Sequence, residues 1–288
     1  MSVACAKLTT VRIATYNVNS IAARLPRLLA WLDSAKPDVV CLQELKCDED
    51  SFPSDELAAL GYEAAVNANG RWNGVAVLSK VGLTDVTRDL LDQPGYQADD
   101  ALIAAPEKRA VAATCGGIRV WAVYVPNGRE VGHPHYYYKL DWLAALKNTV
   151  AAELEAAPER PLVILGDFNI APTDADVWDI TALHGATHVT DPERAALAEL
   201  TKAGLREVLP RALKYDVAYS YWDYRQLAFP KNNGMRIDLV FGTPSLTDAV
   251  SDAYVDREER KGKGSSDHAP VVVDVSLQAL ASAVIMVG

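Results

Sequence analysis

The chain has 288 residues, half of them hydrophobic, and a formal net charge of −10. That composition supports a sizeable core and excludes wholesale disorder. The acidic balance argues mildly against a nucleic-acid partner, because phosphate binding wants a basic surface, although a local basic rim can outweigh a net value.

The four cysteines, Cys5, Cys41, Cys47 and Cys115, form no CxxC pair. Free thiols fit a reducing compartment better than a disulfide framework. No apolar run approaches a membrane span, and the N-terminus lacks a signal-peptide core. The expectation is a soluble cytoplasmic protein.

Residues 1–10 show no period and read as a loose lead-in. Residues 11–16 read as a strand that ends in Asn17-Val18-Asn19. Leu25, Leu28, Leu29 and Leu32 then recur at i, i+3, i+4 and i+7, one face of a helix. Pro26 is tolerable only in its first turn, and Lys36-Pro37 stops it. Residues 39–42 form a second buried strand ending in Gln43-Glu44. A strand at 75–79 follows the turn Arg71-Trp72-Asn73-Gly74. Strands at 109–114 and 119–124 flank Gly116-Gly117, a hairpin signal. Tyr124 runs into the turn-rich loop Val125-Pro126-Asn127-Gly128-Arg129.

A long helix is expected over 135–156, with Leu140, Leu143, Leu146, Val150 and Leu154 on one face. The unbroken apolar run 162–165 then reads as a strand buried on both faces. Gly166 ends it, and Asp167 and Asn169 follow at once, so a carboxylate and an amide sit at the tip of a rigid strand. Asp191-Pro192 reads as an N-cap and first helical residue, and Gly204 as that helix's C′ residue. Residues 219–224 and 236–241 read as strands around a Pro/Asn/Gly loop, and 271–275 as the last strand, preceded by Ser265-Ser266-Asp267-His268. No linker-like shift in composition or internal repeat divides the chain. One α/β domain is expected over 11–277, with a tail at 278–288 that has no assigned role.

Polar residues collect at the strand ends: Asn17, Asn19, Glu44, Tyr124, Asp167, Asn169, Asp238, Asp267 and His268. Any one alone is an ordinary strand-to-loop turn. Together they form a set of hard oxygen ligands without a Cys-rich cluster, which suits Mg²⁺ or Mn²⁺ rather than structural Zn²⁺. A metal, a base and an imidazole are the parts of hydrolytic phosphoryl chemistry.

On these residues the chain resembles the exonuclease III type of AP endonuclease, in the endonuclease–exonuclease–phosphatase superfamily. The matching stretches are Asn17-Val18-Asn19-Ser20, Leu42-Gln43-Glu44, Trp72-Asn73-Gly74-Val75-Ala76, Tyr124-Val125-Pro126-Asn127, Gly166-Asp167-Phe168-Asn169, Trp222-Asp223-Tyr224-Arg225, Arg236-Ile237-Asp238 and Ser266-Asp267-His268. Each is short, but eight in order cover nearly all of 11–276.

The resemblance implies an α/β fold, a four-layer α/β sandwich of the DNase I-like kind, with two mixed β-sheets packed face to face and helices outside. It implies Glu44 as principal metal ligand with Asn19 and Asp267 nearby. Asp167 would orient and deprotonate the attacking water or bind the metal itself. Asn169 and Asn17 would hold phosphate oxygens and neighbouring side chains, with Asn169 also near the metal. His268 would contact the scissile phosphate, with Asp238 accepting its other ring N–H. Tyr124 would face the phosphate or the leaving oxygen. The other histidines, His133, His135, His184 and His188, match no motif and read as surface or core.

The implied activity is incision of double-stranded DNA on the 5′ side of abasic sites, leaving a 3′-hydroxyl, with processing of blocked 3′ ends by a monomer. Arg24, Arg27, Lys46, Arg71, Arg129, Arg225, Lys231 and Arg236, with Lys261 and Lys263, could form a basic rim beside Asn127. Within the loop 221–235, Tyr221, Trp222, Phe229 and Met235 are candidates to probe the gap left by a missing base. Tyr221 and Met235 stand where some relatives carry Trp. Two other classes compete: a phosphatase or phosphodiesterase acting on a non-DNA phosphate ester, and a DNA-binding module that has lost catalysis. Nonspecific DNase action is a minor third.

Overall fold

The computed structural model describes residues 9–70, 72–97 and 103–287, with side chains to residue 282. Arg71, Cys5 and most of the lead-in lie outside the described residues. In order the elements are β1 (Thr10–Asn17), α1 (Ile21–Ala35), β2 (Val39–Gln43), α2 (Ser54–Ala59), β3 (Glu63–Asn67), β4 (Val75–Ser79), β5 (Thr84–Arg88), β6 (Ala110–Cys115), β7 (Ile118–Tyr124), α3 (Pro134–Ala156) and β8 (Leu162–Asp167). There follow α4 (Asp191–Lys202), β9 (Arg206–Glu207), α5 (Ala228–Lys231), β10 (Asp238–Gly242), α6 (Pro244–Thr247), β11 (Val250–Val255), β12 (Val271–Ser276) and α7 (Leu277–Val287).

The strands form two six-stranded sheets, ordered β11-β12-β1-β2-β4-β3 and β5-β6-β7-β8-β10-β9. Each has one parallel pair at its centre, β1 with β2 and β7 with β8, and antiparallel neighbours elsewhere.

Alternation along the strands builds the layers. Val11, Ile13 and Cys41 face Val111, Val120, Val163 and Leu165 across the gap between the sheets. The opposite faces of β1 and β2, with Ala14, Tyr16, Val40 and Leu42, take Leu28, Trp31 and Leu32 of α1 and Leu57 of α2. The outer face of the second sheet, with Trp121, Val123 and Ile164, takes Trp142 and Leu146 of α3 and Leu197 and Leu200 of α4. The result is the expected four-layer sandwich. Among the described residues no helix is long and apolar enough to cross a membrane.

Several local readings are corrected. α1 begins at Ile21, so Pro26 sits in its second turn, on the exposed face, where it forgoes one helical hydrogen bond. α4 is capped by Thr190 rather than Asp191: Thr190 and Glu193 form a reciprocal capping box. The stretch 219–224 is not a strand; Tyr221 makes only isolated bridges, to Met235 and His268. The tail continues as α7, and Leu280 buries itself against the inter-sheet core.

Candidate active site

The two central parallel pairs bring their carboxyl ends to one edge, where ligands of open α/β sheets are received. Asn17 ends β1 beside Gln43, the last residue of β2, and Glu44 comes next. On the other sheet Tyr124 ends β7 beside Asp167, the last residue of β8, and Asp238 opens β10 directly opposite Asp167. His268 arrives on the loop before β12 and bridges to Tyr221. Gly166 is required for the approach of β7 and β8, because a Cβ there would lie 1.9 Å from the carbonyl oxygen of Val123.

The chain turns sharply just past these ends. Asn19, Glu44, Lys46 and Asn169 have φ of 45°, 53°, 52° and 52°. The left-handed region suits Asn but is unusual for Glu and Lys, and such strain concentrates where function over-determines the backbone.

Asn17 is the hinge of the polar network. Its Nδ2 donates to Glu44 Oε1 and to Asp167 Oδ2, both at 2.9 Å. His268 Nδ1 donates to Asp238 Oδ2 at 2.8 Å, and its Nε2 lies 3.7 Å from Asp167 Oδ2. The Asn169 N–H donates to Asp167 Oδ1 at 2.9 Å, and Asn127 Nδ2 donates to Asn169 Oδ1 at 3.1 Å. Asn19 Nδ2 donates to Asp267 Oδ1 at 3.0 Å.

The electrostatics follow from burial among like and unlike charges. Burial, reinforced by Asp238 and Glu44, pushes the Asp167 carboxyl up to about 7, against the pull of His268. Burial alone would lower His268, but Asp238 and Asp167 raise it to about 10, so the imidazole is a cation at neutral pH. Burial would also raise Glu44, but the Lys46 ammonium and the Asn17 amide hold it below its ordinary value. Burial beside Glu44 keeps the Tyr124 phenol neutral.

Glu44, Asp167 and His268 each offer an atom within 4.8 Å of the others. With His268 cationic, the donors available to a metal are two carboxylates flanked by Asn19 and Asp267. This hard oxygen set fits Mg²⁺ or Mn²⁺. Lys46 belongs to this cluster as its counter-charge and not to a basic rim: its Nζ is 2.8 Å from Glu44 Oε2 and also donates to Asn19 Oδ1, so a metal drawing on Glu44 or Asn19 would displace the ammonium. Asn169 is less free to act as a ligand, because its Oδ1 accepts from Asn127 and its Nδ2 donates to Val125.

Beside the cluster opens a cleft of about 440 Å³, walled in part by Asn127, Trp178, His188, Tyr221, Arg225 and Met235. The Tyr221 ring packs 4.9 Å from that of His268, tilted by 57°. Arg129 is exposed on the Asn127 loop. Trp178 and His188 were not singled out from sequence. Trp178 is a half-exposed aromatic in a loop without a motif, and His188 holds the Asn169 carbonyl through Nδ1.

Two of the expected substrate contacts, Trp222 and Arg236, are buried, and a third, Phe229, is half-buried. Trp222 is 1% exposed and packs its indole against Tyr219 and Phe229. Phe229 is covered in turn by the guanidinium of Arg257 at 4.0 Å. Arg236 is buried, paired with Asp176 and Glu207, and cannot serve a rim. Arg24 and Arg27 are also engaged, with the Tyr224 hydroxyl and with Glu259.

Comparison with known proteins agrees with this geometry. The Endonuclease/Exonuclease/phosphatase family matches residues 14–268. The exodeoxyribonuclease of Bacillus subtilis is 28% identical over 276 residues, 93% of this chain and 100% of that protein. The 3′-5′ exonuclease NExo of Neisseria meningitidis superposes with a TM-score of 0.84 at 37% identity, covering 92% of this chain and 100% of that one. An AP endonuclease of Archaeoglobus fulgidus superposes with a TM-score of 0.81 at 31% identity, covering 91% and 98%.

Proposed function

Because the chain belongs to the endonuclease/exonuclease/phosphatase family, as a nuclease of the AP endonuclease and exonuclease III type, we propose that it is a Mg²⁺-dependent DNA-repair phosphodiesterase. It incises the backbone 5′ to abasic sites and also processes blocked 3′ ends. The observation that carries the reading is the cationic His268 between Asp167 and Asp238, set at the rim of a cleft lined by Tyr221, Trp178 and Met235. A phosphodiester next to a sugar without a base presents an anion to the first and an apolar gap to the second. The relatives include both an AP endonuclease and a 3′-5′ exonuclease, which supports the pairing of activities.

Glu44 and Asp167, with Asn19 and Asp267 beside them, would hold Mg²⁺ or Mn²⁺. When bound, the ion supplies Lewis-acid charge against the scissile phosphate. Asp167 takes the proton of the attacking water, and Asn17 and the Asn169 N–H, one on each oxygen, fix the plane of the carboxylate as it does so. The water oxygen bonds to phosphorus in line as the bond to the 3′-oxygen breaks, and that oxygen takes a proton from solvent, leaving a 3′-hydroxyl and a 5′-phosphate. His268 donates Nε2–H to a phosphate oxygen that gains charge, while Asp238 holds Nδ1–H and the ring in place. The neutral Tyr124 phenol offers a donor at the same oxygens. Asn127 and Arg129, on one loop, would meet flanking phosphates, and Arg225, paired with Asp223, would do so by exchanging that carboxylate for a phosphate.

A panel of defined substrates tests this. Duplexes with a single abasic site, with a 3′-phosphate and with a recessed normal 3′ end are incubated with Mg²⁺, Mn²⁺ or EDTA, alongside a soluble phosphomonoester. Incision of the abasic duplex that EDTA abolishes is expected. Turnover of the soluble ester with inert DNA would instead assign a phosphatase.

A further inference from the structure

Behind the site, away from solvent, lies an ion pair that the reaction does not consume. Lys139 of α3 and Glu193 of α4 have fully buried side chains and are bonded directly. The ammonium also donates to the carbonyls of Asn169 at 2.8 Å and Asn127 at 3.2 Å. Glu193 is equally occupied. Its Oε1 accepts from the Thr187 hydroxyl at 2.6 Å and the His188 N–H at 3.0 Å, and its Oε2 from the Thr190 hydroxyl at 2.6 Å. Burial alone would raise the Glu193 carboxyl, but Lys139 and the threonines hold it well below its ordinary value, while burial draws the Lys139 ammonium down against the pull of Glu193.

Helix packing does not require this arrangement. Apolar residues in place of a buried ion pair are often neutral for stability or better. Apolar residues cannot, however, donate to two carbonyls. Those carbonyls belong to Asn127 and Asn169, whose side chains are bonded to one another. Asn169 stands at φ 52° and gives its own N–H to Asp167. One ammonium therefore ties the loop after β7 to the loop after β8, at the residue that aims the Asp167 carboxylate.

We propose that Lys139 and Glu193 are positioning residues for the reaction: Lys139 clamps the two asparagine loops, and Glu193 keeps the ammonium aimed at them. The inference rests on the reading of Asp167 as the base.

The test is Lys139→Met/Glu193→Gln, assayed with Mg²⁺ on the abasic duplex. Gln at that position preserves the capping box, and no lone charge is left buried. The expected result is a kcat lower by about 10- to 100-fold, as for other slight misplacements of reacting groups, with KM within about threefold. In an Asp167→Asn background the same change lowers the residual kcat by less than about threefold, because the carboxylate it positions is gone. An unchanged kcat, or the same fractional loss in both backgrounds, overturns the proposal. Should that double variant fail to fold, Lys139→Leu/Glu193→Gln, which likewise leaves no lone charge buried, is put through the same cycle and read the same way. If the wild type cleaves no DNA substrate, the functional reading falls and amide exchange decides the positioning claim. Faster exchange confined to residues 125–129 and 167–171 supports it, and unchanged exchange there overturns it.

Discussion

Asp167 and Asp238 face each other directly across β8 and β10, and the imidazole of His268 lies between their carboxylates. Two buried acids so close repel, and the cation between them makes the arrangement tolerable. The imidazole is thereby both oriented and kept protonated.

If Asp167 is the base, Asp167→Asn keeps the shape of the site and removes proton acceptance. The rate should fall by at least about 10²- to 10⁴-fold, the usual worth of a positioned base. Affinity for abasic duplex, measured by equilibrium binding, should be largely kept. A variant that cleaves near the wild-type rate would remove Asp167 from this role.

The pH profile follows from the same three residues. Asp167 works ionised, so kcat/KM should climb as pH rises through about 7. His268 works protonated, so activity should fall as pH passes about 10. The two limbs belong to the coupled set and not to either residue alone. A divalent ion beside Asp167 favours its ionised form, so raising Mg²⁺ should move the acid limb to lower pH. An acid limb indifferent to Mg²⁺ would separate Asp167 from the metal.

Neighbouring aromatics should behave in opposite ways. Trp222→Ala empties a buried position and should cost about 3–5 kcal/mol of stability. Tyr221→Ala, half-buried at the cleft, should cost less stability than Trp222→Ala and weaken binding to abasic duplex by about 1–3 kcal/mol. Thermal melts and binding isotherms of the two variants check this. Equal affinity of Tyr221→Ala and its parent would take Tyr221 out of the substrate surface.

Gly166→Ala should be far more damaging than its size suggests. The added methyl meets backbone, the Val123 carbonyl, which cannot swing aside. The cost should exceed the roughly 1–3 kcal/mol of ordinary overpacking. Spreading β7 from β8 also parts Tyr124 from Asp167, so residual folded protein should be slow. A melting curve and turnover number close to wild type would show that the two strands yield more easily than their spacing implies.

Much of this was legible in the sequence because the central strands are short apolar runs closed by polar residues. The run at 162–165 closed by Gly166-Asp167 is one, and that at 39–42 closed by Gln43-Glu44 is another. β5 was missed because Thr84–Arg88 is exposed along its whole length and shows no alternation. Residues 219–224 misled because their aromatics suit a strand, whereas Trp222 turns inward to the Phe229 cluster and Tyr221 outward to His268. Arg236 looked like a rim charge because its partners, Asp176 and Glu207, are distant in sequence. Lys139 left a usable trace: it shares the helical stripe of Trp142, Leu143 and Leu146, all buried, and a lysine on such a stripe must find oxygen inside the protein.

Asn17 and Glu44 are fastened to one sheet, Tyr124, Asp167 and Asp238 to the other, and between the sheets, behind the Asn17–Asp167 hydrogen bond at the rim, lies a layer of interdigitated aliphatic side chains that sets their spacing. The interior is in this sense the spacer of the reacting groups. Trimming or adding a methylene at Ile13, Val163 or Leu165 shifts one half of the catalytic assembly against the other, so substitutions that never touch DNA should register first as slow turnover and only later as a lower melting point.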